Sequence, residues 1–575
     1  MNSNLIRRTA ALLLILSLVL AMAPASQAAK QKNTIKLKSV DVPTYVLSTD
    51  VELTMTLYFK NGGDIPYVAL EEWPVFFRMV NRSYDEEYDI ICKTKGNIFS
   101  YIRETKYDAT FDFKKKTLYF TDKNAFFRRK NLSLTGADSI SPSLQSLFKR
   151  SEASYNKYGS DVTINLKKYG IDIFTKRGIH YIPLQTLSDL FFSMGMGAYM
   201  TYNGRALFFS SSSSMPLDML VEYQKGKKTK RSKAFARFNY GELCMALDYL
   251  YGAQESHRIK DFDSFFTNTG LSMYLTSTDD ALVDEGIYYM INFYFDDLHS
   301  GFGNFSYNSS YNTDRDALTK IFKLPRGAST SAYLMKREKY ENAYARYQPD
   351  GTKSYEEVGD TAYIKFDSFR YDKDVYTSVS TESETYDDCI RLMQYACDRI
   401  LRDKSPIKRV VLDLSMNGGG ASSTAMYVMG TFLGESAFAV RDVKTDASSH
   451  AFYNIDTNLD GEFDSRDTLA GKGLELFCII SPLTFSSANL VACRFKESGD
   501  VTLIGKQSGG GSCDVQPLCT ASGTMFQVAG PHQISFDKNG SLYDVDRGAE
   551  PDVFIKDVGR LYDRAYANEV LDHIW

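Results

Sequence analysis

The chain has 575 residues, 43% hydrophobic and 24% charged, with a formal net charge of -4. Length calls for two or three domains, and the composition excludes a disordered or fibrous chain. With both signs of charge mixed along the sequence, there is no electrostatic case for nucleic acid as a partner.

Residues 1–28 read as a secretory signal peptide. Arg7 and Arg8 are basic, the run from Ala10 to Met22 is apolar but short for a membrane span, and Ser26 and Ala28 suit cleavage before Ala29. The expectation is a secreted or cell-envelope-associated bacterial protein. Eight cysteines follow with no C-x-x-C pair, which disfavours a zinc ribbon or thioredoxin motif. In an exported protein Cys513 and Cys519 are placed to close a small disulfide loop, while Cys389 and Cys397 read as buried helix residues.

Residues 30–225 are dense in short alternating runs and are expected to form an α+β N-terminal domain. Two segments there look alike. Asp64 to Leu70 and Ile179 to Leu184 each read as a strand entering a helix, followed by further strand at Thr117–Phe120 and Ala206–Phe209. They suit a stalk-like region in contact with the cell envelope. The 39 Tyr and 37 Phe fit dense β-rich cores, and a carbohydrate- or peptide-binding surface is the alternative use. The serine run at 210–214 and the basic stretch Lys225 to Arg231 bracket a boundary, the latter read as a solvated linker. Residues 226–310 form a helical subdomain in this reading, and 311–575 a core of alternating strands and helices, hence an α/β layer with largely parallel strands.

Three short motifs sit where elements end. The strand Arg409–Leu414 runs into Asn417-Gly418-Gly419-Gly420, a turn that exposes backbone N–H groups to an oxyanion. The apolar Ile479-Ile480 runs into Thr484-Phe485-Ser486-Ser487-Ala488-Asn489 at a helix start, where serine serves either as a cap or as a nucleophile. His299, one of only six histidines, follows Asp296 and Asp297 at a helix end.

Together these motifs resemble the tail-specific (C-terminal processing) and tricorn-core-like serine peptidases over roughly residues 230–557. The further matching elements are Leu503-Ile504-Gly505, Ser508 to Gly511 and Gly548-Ala549-Glu550-Pro551-Asp552. The resemblance implies a crotonase-like (ClpP-like) core and a peptide or protein substrate, with no cofactor for catalysis. It maps the nucleophile to Ser487, with Ser486 as the neighbouring alternative. Gly419, Gly420 and the amide of Ala488 would supply the oxyanion donors. The branch that uses a Ser–Lys dyad has a lysine where this chain reads Gln507 to Ser512, and Lys506 lies several residues early. His299 is therefore expected as the base, oriented by Asp546, with Asp544 in reserve. Between Asn304 and Asp360 there are too few residues for the peptide-binding PDZ module common in the family. A protein of this fold with a decayed site, binding without cleaving, is the rival reading.

A separate signal is the segment from Asp456 to Asp467. Asp456, Asn458, Asp460, Asp464 and Asp467 fall at positions 1, 3, 5, 9 and 12 of a calcium loop, with Gly461 at 6 and Glu462 at 7. This predicts a structural calcium ion between the oxyanion turn and the nucleophile.

Overall fold

The computed structural model describes residues 35–46, 52–80, 90–127, 140, 142–351, 353–372, 376 and 387–574. The expected signal peptide lies outside these residues.

The alternation read in the N-terminal region becomes two sheets. In Tyr107–Asp112, Tyr107, Ala109 and Phe111 point inward while their neighbours are half-buried, the period of two that a one-sided strand requires. This strand belongs to a five-stranded antiparallel meander that starts at Ile90–Lys95 and ends at Val162–Asn165. The other sheet has seven strands, and the two look-alike segments meet as its second and third strands. Pro66–Ala69 pairs antiparallel with Ile179–Pro183, Tyr67 opposite Pro183 and Ala69 opposite Tyr181. Each then enters helix, at Trp73–Val80 and at Leu184–Leu187.

The aromatic residues fill the space between these elements. Trp73, Phe76 and Phe192 meet edge to face at 5.1–5.6 Å, and Phe191 stacks on Phe77 at 5.6 Å. Such pairs add to the area they bury, and core packing accounts for much of the aromatic composition.

This region is not a detached domain. Its apolar core is continuous with the helices Lys233–Leu250, Phe262–Thr269 and Asp280–Tyr289, and with Leu518, Phe526 and Val528 much later in the chain. Its strand Phe148–Lys157 pairs with Ser448–Ile455, extending a sheet made otherwise from residues beyond 300. Lys123 also forms a buried ion pair with Asp442 at 2.6 Å. The expected separation near residue 225 is thus crossed by backbone, core and charge. The lysines of the basic stretch are exposed, but Arg231 at its end is buried, bound to Asp280, to the Ser522 carbonyl and to the Tyr307 hydroxyl.

Two six-stranded sheets carry the rest. One runs Tyr355–Val358, Thr361–Lys365, Arg409–Asp413, Glu475–Ile480, Val501–Gly505, Val553–Phe554, and every neighbour pair after the first is parallel. Buried on both faces, these strands read as near-continuous apolar runs. Helices Cys389–Leu401 and Ser422–Leu433 pack on it, the first capped by the Asp388 carboxylate and burying both Cys389 and Cys397. Because Asp413 stands beside Ile479, the loops leaving these two strands emerge side by side, at the carboxyl edge where α/β sheets place their sites. The second sheet orders Gly301–Phe302, Met525–Ser535, Ser436–Asp442, Ser448–Ile455 and Phe148–Lys157, with Cys513–Cys519 also paired to Met525–Ser535. Between the sheets' strands in sequence, residues 315–347 form helices Arg315–Ile321 and Ala328–Tyr347.

Candidate active site

The glycine turn is held by its own asparagine. Asn417, fully buried, donates through Nδ2 to the Phe366 carbonyl at 2.9 Å and accepts the Gly419 N–H on Oδ1 at 2.9 Å. Gly419 and Gly420 have φ of 103° and 142°, a region closed to side chains. A Cβ on Gly419 would fall 2.7 Å from the Ser486 Cβ, and one on Gly420 would fall 2.4 Å from the Phe369 carbonyl oxygen. Gly419 thus lets the backbone lie against Ser486, and Gly420 lets it lie against Phe369.

The neighbouring strand Glu475–Ile480 turns into helix Ser487–Ser498 through residues tied to the glycine turn. Thr484 Oγ1 donates to the Leu414 carbonyl at 2.7 Å, and the Phe485 N–H donates to the Asn417 carbonyl at 3.1 Å. The turn ends at Ser486 with φ 57° and ψ -125°. A non-glycine residue held in such a conformation is strained, and strain of this kind gathers at functional sites.

The structure corrects the choice between the two serines. Ser486 caps the helix without using its side chain. Its Oγ lies 2.9 Å from Nε2 of His299, and it remains half-exposed. Ser487 is the first helical residue; it is buried, and its hydroxyl donates to the Gly420 carbonyl at 2.8 Å. One residue of helical rotation separates the two, and the left-handed turn aims the earlier one at the imidazole.

His299 arrives from the other side of the site. Helix Asp280–Tyr289 continues as a wide turn, Met290–Phe295, that ends at Asp296 with φ 47°. The Asp297 carboxylate then accepts the N–H groups of His299 and Ser300, at 3.1 and 2.6 Å. Gln527 Nε2 donates to the His299 carbonyl at 2.9 Å, and the ring packs against Phe485 with centroids 4.7 Å apart. Burial lowers the pKa of the imidazole, against the opposing pull of Asp297, Asp514 and Asp546. The ring is accordingly neutral at neutral pH, the state in which it accepts a proton.

Neither expected acid reaches the ring. Asp546 is occupied by Ser512, accepting its N–H at 2.8 Å and its hydroxyl at 2.9 Å, and Asp544 pairs with Arg547 at 2.9 Å. The oxyanion assignment also shifts. The Gly419 N–H is taken by Asn417 and the Ala488 N–H by the Phe485 carbonyl at 3.1 Å. The amides of Gly420 and Ser487 have no acceptor among the described residues, and they flank the Ser486 turn. Sequence reasoning named Asn417 and Asp297 within the motifs without giving either a role in the site, and missed Gln527. Only Asp297 had a local signal, since an aspartate two residues before a histidine is the spacing of an Asx turn.

The Asp456–Asp467 segment keeps its donors to itself. Asp456 accepts the Leu459 and Gly461 N–H groups at 2.6 and 3.0 Å, Asn458 accepts from Asp460 at 2.9 Å, and Asp460 from Glu462 at 2.9 Å. Asp467 accepts from Thr457 and Asp464, while Arg466 pairs with Asp460 and Asp464 at 2.8 and 2.9 Å. Among the described residues no group of three or more Asp, Glu, His or Cys converges to hold a metal. These bonds tie the segment into a compact acidic loop. The proposed Cys513–Cys519 bridge is likewise replaced: both are free thiols at the two ends of one strand. Six extended residues span about 20 Å, whereas a disulfide needs Cα atoms about 6 Å apart.

The fold and site together define a class: a mixed α/β protein whose nucleophile candidate stands at a strand-to-helix turn. The model of peptidase family S41 matches residues 360–554, the segment that carries the glycine turn and Ser486. Over that segment, about a third of the chain, it is similar to peptidase family S41, a family of serine-type peptidases. Among solved structures, the chain is similar to a photosystem II D1 C-terminal processing protease, at 16% identity over 35% of this chain and 46% of that one, with a TM-score of 0.25. It thus spans less than half the length of that protein. It is also similar to a lipoprotein from Streptococcus agalactiae (16% identity, 44% of this chain, 85% of that one, TM-score 0.25) and to the tricorn protease (14%, 41%, 19%, TM-score 0.23). No curated protein matches the sequence.

Proposed function

We propose that this protein is an exported serine peptidase that hydrolyses peptide bonds in peptides or envelope proteins through an acyl-enzyme, with Ser486 as nucleophile and His299 as base. The observation that carries this is the 2.9 Å contact between Ser486 Oγ and His299 Nε2, made by a serine held in a left-handed turn. The parallel sheet that presents it supports a crotonase-like reading of the core.

In this mechanism Ser486 Oγ attacks the scissile carbonyl carbon as its proton passes to His299 Nε2. The carbonyl electrons move onto oxygen, where the Ser487 and Gly420 amides stabilise the charge. Collapse breaks the C–N bond, and His299 returns the proton to the leaving amine. Water, deprotonated by His299, then releases the acyl group and restores Ser486. Each donor is pre-set by a backbone that is already hydrogen-bonded, so little reorganisation accompanies the charge.

The test is covalent labelling by a fluorophosphonate. Wild type and Ser487→Ala are expected to label, and Ser486→Ala to stay unlabelled. Failure of wild type to label would favour the rival, a binding protein on the same fold. Paired substrates with free and amidated C-termini separate a C-terminal processing activity from general endopeptidase action. Export is tested by N-terminal sequencing of the protein from the producing cell, with Ala29 expected first. Envelope contact through residues 30–225 is tested by retention of the purified protein on cell-wall material.

A further inference from the structure

Asp546, the expected orienting acid, is spent on Ser512, yet the loop bearing His299 is held by a carboxylate of its own. Asp297 Oδ1 accepts the N–H of His299 at 3.1 Å and that of Ser300 at 2.6 Å. Its Oδ2 accepts the Ser300 hydroxyl at 2.8 Å and the Tyr251 hydroxyl at 2.9 Å. Four donors on one carboxylate leave it little freedom to rotate. Tyr251 is fully buried and stacks on Phe295 with centroids 4.3 Å apart, so the outer tether is rigid as well. On the far side, the Ser300 hydroxyl accepts the Ala529 N–H at 3.2 Å, next to the strand residue Gln527 that binds the His299 carbonyl.

We propose that Asp297 is the positioning acid of this site, acting on His299 through the backbone turn and its negative charge instead of through a hydrogen bond to the ring. The inference rests on the reading of Ser486 and His299 as nucleophile and base. Two consequences follow from the geometry. The clamped N–H groups of His299 and Ser300 fix the backbone from which the imidazole projects, which a nucleophile at 2.9 Å requires. The carboxylate also sets a fixed negative charge near an imidazolium that forms during acylation. Three carboxylates raise the pKa of the ring against its burial: Asp297 from its own loop, Asp514 from strand Cys513–Cys519 and Asp546 from the loop before Gly548. Asp297 is the strongest of these influences.

Asp297→Asn keeps an acceptor oxygen and removes the charge. Hydrolysis of a peptide ester is expected to show kcat reduced about 10- to 100-fold with KM within about twofold, since what is lost acts after binding. The acid limb of kcat/KM should move to lower pH, because the imidazolium loses a stabilising charge. Asp546→Asn should move it less. An Asp297→Asn protein with wild-type kcat and an unmoved acid limb overturns the proposal, as does a larger displacement in Asp546→Asn.

Histidine-selective NMR titration of His299 separates this inference from the reading beneath it. A lower His299 pKa in Asp297→Asn supports the charge role even if wild type fails to acylate, and an unchanged pKa refutes that role even in an active enzyme. Should Asp297→Asn fail to fold, Tyr251→Phe removes only the outer tether. It is expected to lower kcat about 3- to 10-fold with unchanged KM and no downward move of the acid limb. Wild-type kcat in Tyr251→Phe overturns the proposal.

Discussion

Replacing Gly419 with alanine puts a methyl group where the fold has no room. The built Cβ falls 2.7 Å from the Ser486 Cβ, 3.0 Å from the Phe485 carbonyl oxygen and 3.1 Å from the Ser487 nitrogen. Two of these three neighbours are backbone, so no side-chain rotation relieves the contact. At φ 103° the residue itself is strained by about 1–3 kcal/mol, and the overlap adds about 1–3 kcal/mol as the two turns part. The cheapest relief moves Ser486 and the Ser487 amide away from the glycine turn. Displacing an oxyanion donor costs about 10²–10³ in kcat. Gly419→Ala is therefore expected to lose about 2–6 kcal/mol of stability by denaturant unfolding. Fluorophosphonate acylation of the protein that remains folded should slow by at least 10²-fold. An alanine variant with wild-type stability and an acylation rate within about threefold of wild type would refute the argument that this close approach builds the site.

Four further outcomes are expected. Because burial lowers the His299 pKa, the acid limb of kcat/KM should lie below the ordinary histidine value of 6.5; a limb at or above 6.5 contradicts the buried, neutral imidazole. The same shift contributes stability that is present above pH 6.5 and lost as pH falls through the folded pKa. His532 behaves with the opposite sign, since the Asp514 and Asp442 carboxylates outweigh its burial and raise its pKa. Its contribution is full below pH 6.5 and lost as pH rises through the raised value, which NMR titration of His532 reads directly. Asp442→Ala strips a buried partner from Lys123 and should cost about 3–5 kcal/mol by urea unfolding. Finally, as Cys513 and Cys519 cannot meet, all eight thiols should titrate with a thiol reagent under non-reducing denaturation.

Elements with a strong local period were legible in the sequence. Helix Ser422–Leu433 and strand Arg409–Asp413 fall where their patterns place them, because burial dictates side-chain type at a period of 3.6 or along a continuous apolar run. The histidine and the glycine turn were legible for a different reason, since their residue types are unusual and stand where elements end. The choice between Ser486 and Ser487 was not legible. Both are small hydroxyl residues at a helix start, and which one faces the imidazole depends on a single left-handed backbone angle. The partners of the aspartates were not legible either, since Asp546 and Asp297 have the same chemistry and only the fold gives Ser512 to one and the His299 turn to the other. The calcium spacing was legible as a pattern, but the direction of each carboxylate depends on Arg466 and on the loop's own amides.

By itself the sequence determined that two apolar strands end in a glycine turn and a serine pair, that one histidine follows two aspartates, and that no lysine stands at the dyad position. These are properties of local composition and period, written within a dozen residues each. Tertiary structure alone decided that Ser486 meets His299 across 187 positions of chain, and that the N-terminal region shares its core and a strand with the catalytic sheets. The physical reason is common to both. A hydrogen bond of 2.9 Å or a strand pairing depends on where distant backbone is carried by packing, and no local pattern records that distance.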